Sequence, residues 1–171
     1  MVQDAENLVT AASGGAPTWF YAKSLSVTPT SLIPSSGIDA LFEYLDSADK
    51  GTSTWYIIFD LEGGAINDTP KNETSYAHRD NLYWMQAYSI NPVGTVSKTM
   101  VSFLDGVVNT VGSSLSRTDL GAYPGYIDPY LKNAQQEYWG SNLPRLQEIK
   151  ARIDPRDLFR NPQSVQLTGK R

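Results

Sequence analysis

The sequence predicts an α+β domain in which an antiparallel sheet is covered by helices on one face. The first observation is that segments rich in aromatic and β-branched residues are interleaved with segments whose apolar residues recur at helical spacing. The second is their order along the chain (strand, helix, strand, strand, helix, helix), which differs from the strict alternation that builds a parallel sheet. The chain has 171 residues, 40% of them hydrophobic, so it can bury a core.

The predicted strands are runs of β-favouring residues that end at turn formers. The first covers residues 18–27, and the second covers residues 54–61 and stops at Gly63 and Gly64. The third covers residues 82–90 and again carries aromatic residues at alternate positions. These runs supply the strands of the predicted sheet.

The predicted helices carry apolar residues at i, i+3, i+4 and i+7. The first follows Ser36, a candidate N-cap, and the second spans residues 96–115, with Gly106 as a weak point. The last begins after Asn142, another candidate N-cap, and ends at Asp154. The apolar positions of the first and last helices are Ile38, Leu41, Phe42, Leu45, Leu143, Leu146, Ile149 and Ile153.

Composition and motifs exclude several classes of function. A net charge of −4 without a run of Lys or Arg before the C-terminus gives no footprint for nucleic acid, and no apolar window is long enough to predict a membrane span. The chain has no Cys and one His, His78, so we expect no disulfide, no cysteinyl flavin link and no metal site. Phosphate-binding glycine loops and nucleophile elbows are missing from the sequence.

Several segments resemble, in order, the C-terminal portion of the berberine-bridge-type FAD-linked oxidases. The last of them is the longest and the most specific, and the resemblance spans nearly everything from residue 20 to residue 166. The segments are FYAKSL at 20–25, FDLEGGAI at 59–66, HRDNLY at 78–83, GAYPGYID at 121–128, YWGSN at 138–142 and DPRDLFRNPQSV at 154–165.

The resemblance implies a division of the chain. Residues 1–17 are expected to form a flexible approach, residues 18–120 a partial version of the substrate-binding domain of FAD-linked oxidases, and residues 121–171 the berberine-bridge C-terminal segment. The N-terminal FAD-binding half of the family has no counterpart in this sequence. We therefore expect a sheet that lacks strands and exposes an edge.

The resemblance also implies an activity. Enzymes of this family oxidise a hydroxylated small molecule, such as an oligosaccharide or a secondary metabolite, by passing a hydride to FAD, with oxygen as the final acceptor. FAD is the expected cofactor, although these residues alone do not hold it in the family's usual way. The expected partners are a small-molecule substrate and either a separate N-terminal FAD-binding chain or a second copy of this chain.

The resemblance assigns candidate residues on the cofactor side of the site. Tyr126 falls on the second Tyr of the family's Tyr-x-Asn-Tyr segment, which serves as the base, and core packing is the alternative explanation for it. A phenol needs nearby positive charge or hydrogen bonding that lowers its pKa before it acts as a base. Tyr123, Gly125 and Asn142 are candidate flavin contacts, with Gly125 replacing the usual Asn and N-capping an alternative role for Asn142.

Candidate substrate contacts lie on the third predicted strand. Trp84, Gln86 and Tyr88 share one face because side chains alternate along a strand. In oligosaccharide-oxidising relatives a Trp-x-Gln pair lines the sugar site, and a carboxylate follows two residues later, where this chain has Tyr88. Packing against other elements is the alternative role for Trp84.

Two other functions remain open at the level of sequence. The chain could be a cofactor-free isomerase or cyclase of secondary metabolism that uses Tyr126 or His78 as acid and base, or a non-catalytic binding protein. Sequons at Asn67 and Asn72 suit a secreted parent protein, although the chain carries no signal peptide of its own.

Overall fold

The computed structural model describes residues 18–116 and 120–169. The approach expected at residues 1–17 lies outside these ranges. The elements, in chain order, are β1 (Trp19–Val27), α1 (Ser35–Ser47), β2 (Thr54–Leu61), α2 (Ala65–Asp68), β3 (Tyr83–Asn91), α3 (Lys98–Ser114), α4 (Ala134–Trp139) and α5 (Leu143–Ile153). A 3₁₀ turn, Gly140–Asn142, joins α4 to α5. The predicted α+β class is confirmed, and the short helices α2 and α4 are additions to it.

The three strands form one antiparallel sheet in the order β1-β3-β2. Strand β3 therefore lies at the centre, and β1 and β2 are edge strands, as expected for an open sheet. Ser24 of β1 pairs with Gln86 of β3, which pairs in turn with Ile58 of β2. Because side chains alternate along a strand, the side chains of Ser24, Gln86 and Ile58 lie on one face of the sheet. The residues two positions away on each strand lie on that same face.

Helices cover the opposite face. Helix α3 packs on β1 and β3, and α1 packs on α3. The core between sheet and helices is made of aromatic and aliphatic side chains that are almost completely buried. Its members include Tyr21, Leu25, Met85, Ala87, Phe103, Leu104, Val107 and Val111. Among the described helices, none is long and apolar enough to cross a membrane.

One predicted helix cap is wrong, and a second is confirmed in position only. Helix α1 begins at Ser35, with Pro34 at the cap position, so Ser36 lies inside the first turn. Asn142 does precede α5, but its side chain makes no capping hydrogen bond because its amide is engaged elsewhere. Helix α3 has the side-chain cap that the sequence analysis did not identify: Ser97 Oγ accepts from the Met100 N–H at 3.2 Å.

The segment 121–128 runs alongside β1, and its Tyr123 and Tyr126 side chains lie on the sheet face that the helices leave uncovered. At the β1 edge, Gly121 accepts a backbone hydrogen bond from Ser26, and the Tyr123 N–H donates to Ser24 Oγ at 2.8 Å. Further along, the Tyr126 hydroxyl reaches β2 on the other side of the sheet. We call this helix-free surface the open face. The segment brings Tyr123 and Tyr126 to this face, where β3 presents Trp84, Gln86 and Tyr88.

Candidate active site

Tyr126 lies at the end of a tight turn on the open face. The Tyr126 N–H donates to the Tyr123 carbonyl at 3.0 Å, and the two rings meet edge to face with centroids 5.0 Å apart. The turn directs the Tyr126 phenol toward β2 while its ring stays half-buried. Tyr126 is thus held in place without being sealed inside the core.

The Tyr126 hydroxyl donates to Asp60 Oδ2 at 2.8 Å. Asp60 lies on β2 and, like Tyr126, is half-buried. Burial, followed by the hydrogen bond to Asp60 and the Asp60 charge, raises the pKa of Tyr126 above its usual range. The surroundings described here therefore do not supply the lowered pKa that a phenol needs to act as a base, and the assignment of Tyr126 as the base stays a prediction.

The rings of Tyr76, His78 and Trp84 form a cluster that packs against Tyr123. The Tyr123 ring lies 5.7 Å from Trp84 and 6.3 Å from Tyr76, measured between centroids. His78 meets Trp84 at 5.1 Å, and its Nε2 lies 3.2 Å from the Tyr138 carbonyl oxygen. The Tyr123–Tyr76 and His78–Trp84 pairs meet edge to face and the Tyr123–Trp84 pair is tilted, and such contacts restrict the orientation of each ring. His78 is thus integrated into the packing of this cluster.

The same cluster contacts a partly buried polar network. Tyr76 donates its hydroxyl proton to the Glu62 carboxylate at 2.8–2.9 Å, and Trp84 Nε1 donates to the Tyr76 oxygen at 3.2 Å. Asn81 Nδ2 also donates to Glu62, at 3.2 Å. Trp84 is only 2% exposed. The packing role considered for Trp84 fits this environment, and a stacking platform for a sugar does not.

Gln86 and Tyr88 continue the open face away from Tyr126. Gln86, 8% exposed, lies in the central strand between Ser24 and Ile58. Tyr88 is half-buried between the rings of Phe20 and Tyr56, at centroid distances of 5.9 and 6.5 Å. Burial raises the pKa of Tyr88. The Gln86 amide and the phenols of Tyr56 and Tyr88 supply polar groups, and the aromatic rings supply an apolar surface. Together they can stack on a ring and hydrogen-bond its hydroxyls.

The candidate flavin contacts divide into two groups. Gly125 is exposed, and a Cβ added there would lie 2.5 Å from the Tyr123 ring, so Tyr123 occupies the space of a side chain at 125. Asn142 is 6% exposed, and its Nδ2 donates to the carbonyls of Lys71 and Thr74 at 2.6 and 3.1 Å. Asn142 therefore holds a loop in place, whereas Gly125 presents bare backbone.

Asp60 is the site residue that sequence reasoning missed. It stands inside the FDLEGGAI segment and shares strand parity with Tyr56 and Ile58. That parity places Asp60 on the open face, but only the three-dimensional path of residues 121–128 shows that a phenol meets it. Among the described residues, no group of three or more His, Asp and Glu side chains is placed to hold a metal ion.

A groove of about 1320 Å³ lies elsewhere, between β1, α3 and the C-terminal segment. Charged side chains line it, including Lys23, Asp105, Asp128 and Glu137. Burial raises the pKa of Glu137. Tyr126 and Gln86 do not line this groove, so it is distinct from the open face.

Comparison with known proteins identifies the family. Residues 122–166 match the model of the family described as "Berberine and berberine like". The chain is 38% identical over 157 residues to the FAD-linked oxidoreductase sorD of Penicillium rubens, and 33% identical over 163 residues to the chitooligosaccharide oxidase of Gibberella zeae. These alignments cover 91% of the chain and 33% and 32% of the two relatives.

A solved structure agrees with these matches. The carbohydrate oxidase from Microdochium nivale, crystallised in complex with a substrate analogue, superposes with a TM-score of 0.74 at 35% identity. The superposition covers 86% of this chain and 32% of that structure. The chain thus spans about a third of the length of the relatives it matches. It belongs to the berberine-bridge-type FAD-linked oxidases, of which it carries a C-terminal portion.

Proposed function

We propose that this chain supplies the substrate-side wall and the proton-accepting group for the FAD-linked oxidation of a hydroxylated carbohydrate. The observation that carries the proposal is the Tyr126 phenol on the open face, in line with Gln86 and Tyr88. The chitooligosaccharide oxidase and the carbohydrate oxidase to which the chain is similar support the choice of substrate class.

The residues present fit one side of a flavin. Gly125 offers exposed backbone that a flat ring can approach closely, and the Tyr123 ring behind it fixes the position of that backbone. Among the described cations, Lys23, Lys71 and Lys150 are paired with carboxylates of this chain, so they make no cradle for a pyrophosphate. The rest of the cofactor site would come from residues outside this chain.

Gly125 and Tyr123 are therefore the residues we propose to face the cofactor. FAD, when bound there, would supply a two-electron acceptor opposite the open face. The residues of this chain would place a substrate hydroxyl against Tyr126 and accept the proton of that hydroxyl. Gln86 would orient the substrate by hydrogen bonding, and the rings of Phe20, Tyr56 and Tyr88 would cover its apolar faces.

The substrate class can be refined on the same surface. Phe20 is 57% exposed and lies next to Tyr88, so the apolar floor continues past Gln86 to the edge of the sheet. A floor of that extent suits a substrate longer than one sugar ring, and we propose an oligosaccharide. A secondary metabolite with a hydroxyl and a flat body is the competing substrate, since sorD, the FAD-linked oxidoreductase, is also similar to the chain.

Turnover of the flavin-loaded protein tests the proposal. The protein carrying this chain, purified with its flavin, is incubated with chito-, xylo- and gluco-oligosaccharides, and the formation of hydrogen peroxide is followed. We expect peroxide with at least one of these sugars, and Tyr126→Phe is expected to lower the rate by about 10²–10⁴-fold. If a phenolic metabolite gives peroxide and none of the sugars does, the substrate is a secondary metabolite and not a carbohydrate. Turnover of any substrate without flavin would contradict the proposal in favour of an isomerase.

A further inference from the structure

We propose that strand β2 pairs with β2 of a second copy of this chain, so that two three-stranded sheets join into one continuous sheet. The two strands run antiparallel, and the two-fold axis that relates the copies passes beside Ile58. This inference goes beyond the proposed oxidation and does not depend on it, because it concerns the outer edge of β2 and not the open face.

The outer edge of β2 is the unpaired edge of the sheet. At the opposite edge, the segment 121–128 accompanies β1: the Ser26 N–H donates to the Gly121 carbonyl at 3.0 Å, and Ser24 Oγ accepts from the Tyr123 N–H at 2.8 Å. Along β2, the backbone hydrogen bonds made within the described part of the chain go to β3. The β2 backbone groups that point away from β3 are therefore left for another strand.

The sequence of β2 lacks the features that protect an exposed edge. Edge strands commonly avoid pairing by being short or by carrying Lys, Pro or a bulge. Strand β2 has eight residues, TWYIIFDL, with no Lys, Arg, Pro or Gly among them. Its register with β3 is continuous from Thr54 to Leu61, so it contains no bulge. Its one charged residue, Asp60, is hydrogen-bonded to the Tyr126 hydroxyl. The edge is thus long, regular and mostly apolar.

The helical layer stops short of the far end of β2. Helix α3 packs on β1 and β3, and its Phe103 ring meets Trp55 of β2 edge to face at a centroid distance of 5.1 Å. Farther along the same face of β2, Phe59 and Leu61 are 47% and 72% exposed. Removing such apolar side chains from water favours association. A second copy placed at this edge would cover them.

The helical face of β2 is complementary to that of an antiparallel copy. When Ile58 lies opposite Ile58 of the second copy, Ile57 lies opposite Phe59, and Trp55 lies opposite Leu61. These four side chains are all apolar. The two exposed ones, Phe59 and Leu61, meet the two that already pack against the core. Pairs of aromatic and aliphatic side chains on neighbouring strands stabilise a sheet.

The open face of β2 introduces no repulsion in the same register. Tyr56 lies opposite Asp60, so the two Asp60 carboxylates stand four residues apart along the strands, about 13 Å. Like charges placed directly opposite each other would destabilise the pairing. Because Ile58 faces its own copy, both helical layers lie on one side of the joined sheet and both open faces on the other. The pairing therefore leaves the candidate active site uncovered.

One strand pair makes a small interface. Stable complexes commonly bury about 800 Å² on each partner, and a single added strand pair lies at the lower end of the range for specific interfaces. We therefore expect a dimer that dissociates on dilution. Association stops at two copies, because the two-fold pairing occupies the free edge of both.

The mass of the purified chain tests the association. Light scattering over a dilution series is compared for the unaltered chain, Leu61→Lys and Ile153→Lys. Leu61 and Ile153 are 72% and 71% exposed, so both substitutions suit the folded monomer, but only the first places a charge on the β2 edge. We expect a monomer–dimer equilibrium whose dissociation constant rises about 10-fold or more in Leu61→Lys and changes less than about twofold in Ile153→Lys.

Three results of this measurement would overturn the proposal. They are a monomer at every concentration, a species larger than a dimer, and equal effects of the two substitutions.

Cysteine crosslinking tests the register. The chain has no Cys, so a single introduced thiol reports on its own position. A disulfide needs Cα atoms within about 7 Å, which only the residue on the two-fold axis meets with its own copy. We expect Ile58→Cys to give a disulfide-linked dimer on mild oxidation. Tyr56→Cys, with Cα atoms more than about 13 Å apart, and Ser36→Cys, exposed on α1, should remain monomeric. Equal crosslinking at positions 58 and 36 would contradict the pairing.

A strand from residues outside this chain is the competing occupant of the β2 edge. The flavin-loaded protein distinguishes the two, because Ile58→Cys would not crosslink there if such a strand covered the edge. That result would overturn the pairing of two copies and leave the proposed oxidation standing, since no step of the oxidation uses the outer edge of β2. Failure of every sugar to reduce the flavin, with crosslinking intact, would overturn the oxidation alone.

Discussion

Lys23 Nζ lies 2.6 Å from Asp128 Oδ2, and the two side chains are only 12% and 3% exposed. Lys23 belongs to edge strand β1, and Asp128 ends the segment 121–128 that runs alongside this strand. A second carboxylate, Asp105 of α3, lies 3.0 Å from the same ammonium group. One buried cation thus connects the sheet, the helical layer and the C-terminal segment.

Removal of that cation is expected to destabilise the chain. Lys23→Met would leave Asp128 buried without its partner, and the free energy of unfolding should fall by about 3–5 kcal/mol. Lys71→Met is the matched control, since Lys71 and Asp80 form an ion pair at 2.9 Å with both side chains about half exposed; it should cost about 0–1 kcal/mol. Urea denaturation measures both. Equal, small losses would contradict the central role of Lys23.

Gly106 is expected to resist replacement by alanine. Helix propensity alone favours Ala inside α3 by about 1 kcal/mol. A Cβ at 106, however, would collide with the Tyr44 hydroxyl and ring, which donates to the Phe103 carbonyl and stacks on the Phe103 ring. Gly106→Ala should therefore lower the thermal midpoint, with a net cost of about 1–3 kcal/mol. In a Tyr44→Leu background the same change should be less costly, and equal cost in both backgrounds would contradict the clash.

The turn at residues 154–159, which follows α5, is expected to persist into strongly acidic solution. The hydrogen bond from Lys150 lowers the pKa of Asp154 to about 2 from an ordinary value of 3.8, helped by the N–H groups of Leu158 and Phe159 and opposed by burial. Because the folded pKa is the lower one, the Asp154 contribution to stability is complete above pH 3.8 and is lost as the pH falls toward 2. The free energy of unfolding, measured as a function of pH, should fall within that window for the unaltered chain. The same measurement on Asp154→Asn should show no such fall.

The Gln86 amide is expected to contribute to substrate binding if the proposed function is correct. Gln86→Leu keeps the shape of the side chain and removes its hydrogen bonds, so KM should rise by roughly 3–10-fold for an oligosaccharide. Gln135, whose amide bonds the backbone of residues 164 and 166, gives a control substitution away from the open face. If Gln86→Leu leaves KM unchanged, the substrate does not contact β3 there.

The two sequons are expected to behave differently. Asn67 Nδ2 donates to the carbonyls of Arg79 and Asn81 at 2.7 and 3.2 Å, whereas Asn72 is exposed in a loop. A glycan on Asn67 would disrupt at least one of these hydrogen bonds, so we expect secretory expression to give folded protein with a glycan at Asn72 and none at Asn67. Peptide mass spectrometry measures occupancy. A fully occupied Asn67 in folded protein would contradict this expectation.

Strand and helix positions could be predicted from sequence because local patterns determine them. The predicted strand at residues 54–61 matches β2, and the predicted helix at 96–115 contains α3. The cap at Ser36 failed because a serine at a helix start is compatible with several neighbouring positions, and the cap of α1 lies two residues earlier, at Pro34. Helix α2 has only four residues, too few to show a helical period in the sequence.

The candidate site was only partly predictable. The resemblance pointed to Tyr126, but its partner depends on the path of a segment with no regular structure, and sequence patterns do not specify such paths. Trp84 illustrates the converse limit: strand parity placed it on the correct face, yet it is buried by the rings of His78 and Tyr123 and by the Tyr76 hydroxyl, all of which lie outside the strand. Periodicity identifies a face of a sheet and does not reveal what covers it.

A crystal structure of the flavin-loaded protein with an unreacted oligosaccharide would test the account most directly. We predict that a sugar ring lies on the open face above Gln86 and Tyr88, with one hydroxyl about 2.6–3.2 Å from Tyr126 Oη. A sugar bound instead in the groove beside Lys23 and Asp128, or a Tyr126 phenol covered by protein and out of reach of the sugar, would contradict it.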